Sequence, residues 1–227
     1  MADKFEVVLE VGQKKVFAGV LGWPGWCRSG GDEAAALQAL LDYAPRYAKV
    51  IGSARLKFQA PNEVADFTVV ERLEGNATTD FGAPGVVAQA DAAPFDEEQL
   101  KRSLAAFKAC WRAFDGAIEA ARGKELRKGP RGGGRELEKI IWHVIDSDTG
   151  YLGAVAQKFK RDEGTDYAHE FDRIRAAMAT ALEAGARGEI PERGPRGGKV
   201  WPLRYYVRRT AWHVLDHTWE IEDRVVG

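Results

Sequence analysis

Two of the chain's four histidines, His213 and His217, stand four residues apart in the stretch Thr210-Ala-Trp-His213-Val-Leu-Asp216-His217-Thr-Trp219-Glu220. On a helix, positions i and i+4 share one face about a turn apart. Two imidazoles so placed can chelate one metal ion. A third histidine lies in an echo of that stretch: Trp142-His143-Val-Ile-Asp146 repeats the pattern of Trp212-His213-Val-Leu-Asp216. If the fold brings His143 against His213 and His217, the three form a nitrogen set with open positions, the coordination of a catalytic metal rather than a closed structural one. Zinc, nickel or ferrous iron suits such a set, and ligand type alone does not choose among them. The rival reading is a metal-free buried polar network. Asp146, Asp216 and Glu220 stand close by in sequence, either as acceptors that orient the imidazoles or as ordinary surface carboxylates. His169 reads as solvated or capping at the start of a helix.

Four helices must position these groups. Leu100, Leu104, Phe107, Trp111, Phe114 and Ile118 step by 4, 3, 4, 3, 4 and predict a helix that Asp96 caps and that ends near Gly123. A second helix is predicted over 135–160, a third from Asp166 to about Gly185, and a fourth over Pro202–Val225. The fourth carries Leu203, Val207, Thr210, Val214, His217 and Ile221 at the same spacing. His217 therefore takes an inward position where the pattern expects an apolar side chain, and a buried imidazole must be hydrogen-bonded or ligated. Ser147 stands in the echo where His217 would be, so one helix supplies one ligand and the other two. The glycine stretches 129–134 and 194–198 lack Gly-Lys-Ser/Thr spacing and read as connectors. Arg204, Tyr205, Tyr206, Arg208 and Arg209 either hold an acidic substrate or form a solvated helix face; the second reading is preferred.

Before Asp91–Asp96 the periodicity differs. Phe5, Val7, Leu9 and Val11 alternate as in a half-buried strand, and Lys15–Leu21 completes a hairpin. Gly22–Cys27 is broken by Gly and Pro. Asp32 caps a helix that should break near Ala44, because Pro45 follows. Phe67–Leu73 and Val86–Gln89 read as further strands. The expected architecture is α+β: a small β-β-α-β-β domain over 1–90, then a four-helix bundle over 95–227.

The bundle, with His143 in its second helix and His213-x-x-x-His217 in its fourth, resembles the DinB/YfiT-like family. That resemblance implies an up-down-down-up helix order and a divalent metal on His143, His213 and His217. It also implies a thiol-dependent transferase or isomerase reaction using a low-molecular-weight thiol as cosubstrate. The N-terminal text Trp23-Pro24-Gly25-Trp26-Cys27, followed by Gly30-Gly31-Asp32-Glu33-Ala34-Ala35, resembles the HicB-like fold and implies an accessory interaction or ligand-sensing module. Otherwise Trp23 and Trp26 are loop anchors.

Composition narrows the partners. Apolar residues make up 45% and charged residues 30%, as in ordinary globular proteins, and the net charge of −1 gives no reason to expect nucleic-acid binding. No apolar run is long enough to span a bilayer, and no signal peptide is read at the N-terminus. Cys27 and Cys110 read as two reduced thiols, which places the chain in the cytoplasm. Two functions stay open: a metal-dependent S-transferase acting on a small molecule, or a non-catalytic, metal-stabilised binding or regulatory protein. Seven Trp leave apolar surface for a homodimer.

Overall fold

A computed structural model describes residues 5–128, 134–162, 164–194 and 197–226. Four strands, β1 (Phe5–Val11), β2 (Val16–Val20), β3 (Cys27–Gly30) and β4 (Phe67–Glu74), form one mixed sheet in the order β3-β2-β1-β4. β1 and β2 are the expected antiparallel hairpin, β3 is antiparallel to β2, and β4 runs parallel to β1. Helices α1 (Glu33–Asp42) and α2 (Ala44–Gly52) lie between β3 and β4, and the short α3 (Ala77–Phe81) follows β4.

The β-β-α-β-β expectation is therefore corrected in three places. β3 is an added strand; its Cys-Arg-Ser-Gly text has no β propensity, and it is held by backbone pairing to β2. Pro45 does end one helix, but it also starts another: α1 stops at Asp42, and Pro45 sits in the first turn of α2, where its missing N–H costs nothing. Val86–Gln89 is not a strand. Carboxylates, not a neighbouring strand, take its backbone donors: Gly85 and Val86 N–H go to Glu10, Ala88 N–H to Asp91 and Gln89 N–H to Glu71.

β1 is also buried on both faces rather than half-buried, from Val7 through Glu10. On one face Val7, Leu9, Val16, Ala18 and Val20 join the main core with Trp26, Leu40 and Tyr47. Trp26 is an anchor, as expected. Its indole stacks on Tyr47 at 5.4 Å and its Nε1–H donates to Leu40 O. On the other face Phe17 meets Trp212 edge-on at 5.9 Å.

The remaining chain is helical: α4 (Glu97–Ala121), α5 (Leu137–Ala154), α6 (Tyr167–Ala186) and α7 (Leu203–Arg224). Asp96 caps α4 and Asp166 caps α6 through their side chains. Each of the four packs against two of the others: α4 on α6 and α7, and α5 on α6 and α7. α5 is shorter than the predicted span 135–160. It ends at Ala154, and Ala156 takes a left-handed backbone at φ +59°. The apolar pattern runs on because Val155 is buried and Phe159 packs on the core outside the helix. Of the two glycine connectors, residues 129–133 and 195–196 lie outside the described residues, and Gly194 N–H bonds Gly198 O at 2.8 Å.

The back of α7 carries the N-terminal sheet and its helices. Arg28 pairs with Asp216 at 3.0 Å, Arg46 with Glu222 and Asp223, and Tyr43 packs on Trp219. Gly25, at φ +91°, lies so close that a Cβ there would stand 2.8 Å from Leu215 Cδ1. That close approach and that backbone conformation both require glycine. Among the described residues no helix is long and apolar enough to cross a membrane.

Candidate metal centre

The imidazoles of His143 on α5 and of His213 and His217 on α7 converge. One ligand atom from each lies within 4.8 Å of the others, and among the described residues this is the cluster of three or more such side chains. The ring centroids are 4.6 to 5.1 Å apart. His213 and His217 are buried and His143 is half-buried, so the open side lies on the His143 flank.

Three features decide what this set can do. His143 Nε2 and His213 Nε2 stand 3.3 Å apart. Metal–nitrogen bonds of about 2.0–2.1 Å at a tetrahedral angle hold two nitrogens about 3.3–3.4 Å apart. His217 Nδ1 lies 2.7 Å from Glu220 Oε2, which fixes the proton on Nδ1 and leaves the Nε2 lone pair free for the cluster. Burial, then the neighbouring His217, pushes His143 down to about 4 and His213 well below the usual histidine range. Both rings are neutral near pH 7, the form that ligates metal. His213 Nδ1 is buried without a hydrogen-bond partner, so the ring's polar contacts run through Nε2. The set is compatible with a divalent metal.

Of the three nearby acids, Glu220 alone orients a histidine. Burial opposes its ionisation, but hydrogen bonds from His217 and Arg224 outweigh that and hold its carboxyl below the usual range. Asp216 is taken by Arg28, and Asp146 by Arg161 at 2.6 Å. His169 is exposed; its backbone N–H, not its ring, joins the Asp166 cap.

The arginine-tyrosine stretch of α7 is not the solvated face expected. Tyr205 and Tyr206 are buried, Arg204 donates to the Ala93 and Pro94 carbonyls, and Arg208 forks onto buried Asp91. Two groups on α5 escape a reading of the sequence. Tyr151 stands 5.7 Å from the His213 ring, centroid to centroid. Its spacing was the available signal, since 143, 147 and 151 form one stripe on α5. Asp148, also on α5, is 1% exposed, and its Oδ1 has no partner.

Burial pushes Asp148 up to about 8, with the Arg175 guanidinium pulling the other way. The folded chain therefore holds this proton at neutral pH while the unfolded chain has lost it. In the window from about 4 to about 8, Asp148 lowers stability progressively as pH rises, because the folded state binds the extra proton. Asp148→Asn removes that dependence. In urea unfolding, the stability gap between variant and wild type should move in the variant's favour from pH 5 to pH 8 and level off above. A gap that stays constant across this range would refute the assignment.

Compared with known proteins, the chain matches one family at its helical end: the sequence model of the DinB superfamily covers residues 106–221, just over half the chain. The match takes in His143, His213 and His217. No curated protein and no solved structure matches the chain.

Proposed function

The chain belongs to the DinB superfamily, and on that premise we propose that it is a divalent-metal protein in which His143, His213 and His217 hold one ion. The proposed activity is a thiol-dependent transferase or isomerase reaction on a small molecule. The observation that supports it most is the approach of two neutral imidazole nitrogens to 3.3 Å beside a third that is oriented by a carboxylate. Bound there, zinc, nickel or ferrous iron supplies Lewis acidity that lowers the pKa of a coordinated thiol or water. The chain's own groups do the rest. Glu220 keeps the His217 proton on Nδ1, and Arg224 braces Glu220 at 2.5 Å. Trp212, on the far side of α7, rests on Phe17 and fixes the helix that carries two of the three ligands.

In this reading residues 95–227 are the metal-bearing bundle in up-down-down-up order, and residues 1–90 are an accessory unit that braces α7. Cys27 and Cys110, free and buried, suit a reducing cytoplasm. Elemental analysis of the purified chain, with a screen of low-molecular-weight thiols against electrophiles, tests the proposal. About one divalent ion per chain and turnover that stops on chelation are expected. Metal without turnover would favour the binding or regulatory alternative, and a chain that takes up no metal would overturn the proposal.

A further inference from the structure

Arg209 differs from the other arginines of α7. Arg204 is bonded to carbonyls, Arg208 to Asp91, and Arg224 to Glu220 and the Arg127 and Arg135 carbonyls. Arg209 makes no ion pair among the described residues, and its Nη1 is buried without a hydrogen-bond partner. The guanidinium lies close to two rings, its Cζ 4.7 Å from the Trp212 centroid and 5.0 Å from that of Tyr151. A buried, immobilised guanidinium nitrogen without an acceptor is costly unless something fills the place of the acceptor.

The position of Arg209 indicates what that acceptor belongs to. α7 presents His217, His213 and Arg209 at steps of four, and α5 presents His143, Ser147 and Tyr151 at the same steps. His143 meets His213 and His217, while Tyr151 meets His213 and Arg209, so the two helices run in opposite directions and present these stripes to each other. Arg209 lies one helical turn, about 6 Å, beyond His213. The walls at that end are aromatic: Trp201 packs on Tyr151 at 5.6 Å and on Tyr205 at 4.9 Å.

We propose that Arg209 anchors the carboxylate of a small organic acid that lies along these stripes of α5 and α7 with its reacting end at the three histidines. The histidine end rests on the metal reading above; the anchor stands on Arg209 and its aromatic walls. A planar carboxylate matches the guanidinium fork, and the ring walls suit a flat organic body better than a bare inorganic anion.

The test uses the full chain after chelation, at pH 8, with benzoate, its neutral isostere benzamide, and inorganic phosphate as probes. Binding is read by calorimetry and by tryptophan fluorescence. Benzoate should bind about tenfold or more tighter than benzamide or phosphate, the expected worth of a charge-assisted bond. Arg209→Met should erase that preference and Arg209→Lys should restore part of it, since the charge returns without the fork. No preference for benzoate in the wild type would overturn the proposal. So would phosphate binding as tightly as benzoate, or a preference that survives in a folded Arg209→Met chain. If the Met variant fails to fold, the Lys variant decides: full wild-type affinity there also refutes the fork. The metal content of the same preparation before chelation judges the metal reading separately. Metal without benzoate preference sinks the anchor alone, and benzoate preference without metal sinks the metal reading alone.

Discussion

His217→Ala is expected to take the chain from about one bound divalent ion to nearly none. Of the three proposed ligands, His217 has the most support. It is 8% exposed, it occupies the inward seam of α7, and its Nδ1 is held by Glu220 at 2.7 Å. Without it, His143 and His213 form a two-nitrogen site, too few for stable retention under purification. Glu220→Gln keeps all three ligands and loses only the orientation of one. Its cost should be smaller, about 10–100-fold in metal affinity. The two variants thus rank a ligand above its support. Stability provides a second readout. An ion bound only by the folded state adds about 2.7 kcal/mol when it is present at a hundred times its dissociation constant. Chelator should therefore lower the melting temperature of the wild type and leave that of His217→Ala unmoved. Elemental analysis and paired melts check both statements. Full metal content in the variant would remove His217 from the ligand set.

Arg208→Met should destabilise the chain by about 3–5 kcal/mol, the cost of leaving a buried charge without its partner. Arg208 donates to Asp91 through Nε at 2.8 Å and Nη2 at 2.5 Å, and the two side chains are 16% and 1% exposed. Asp91 also accepts the Ala88 N–H at 2.8 Å, so its carboxylate closes the 3-10 turn Gln89–Ala92 and ties that turn to α7. Methionine keeps the stem of Arg208 and removes the fork, stranding the Asp91 carboxylate. Asp91→Asn placed on top of Arg208→Met should recover part of the loss, because the stranded group is then neutral. Urea unfolding of the two single variants and the double variant measures the coupling. A loss under about 1 kcal/mol in Arg208→Met would place this pair with ordinary surface ion pairs.

Much of the three-histidine cluster was legible because helical spacing survives in one dimension. The 4-3-4 steps put His217 inward, and the echo of Trp212–Asp216 in Trp142–Asp146 located His143. The same echo left the roles of the acids open. Trp142 and Asp146, like Trp212 and Asp216, stand one turn apart on their helices, and each pair meets an arginine: Arg161 covers Trp142 and pairs with Asp146, while Arg209 lies by Trp212 and Arg28 pairs with Asp216. The repeat therefore encodes two arginine clamps as well as two histidines. Only the structure separates Glu220 from its neighbours, because Arg28 lies 188 positions from Asp216 and no local pattern announces that pairing. The sheet was less legible for a related reason. β3 is four residues of low β propensity held by backbone bonds, and Val86–Gln89 has strand-like text but spends its N–H groups on carboxylates supplied by β1, β4 and its own 3-10 turn.

The contacts behind α7 bear on the order in which this chain can fold. Phe17, Gly25 and Arg28 come from the first eighth of the chain, and their partners Trp212, Leu215 and Asp216 from the last. A chain that emerges from its N-terminus can pair β1 with β2 at once, yet Phe17, Gly25 and Arg28 lack these partners until the final helix is made. Such distant closures carry a large loop entropy and slow folding. The early sheet is thus a waiting template, and the helix that completes it carries two of the three clustered imidazoles.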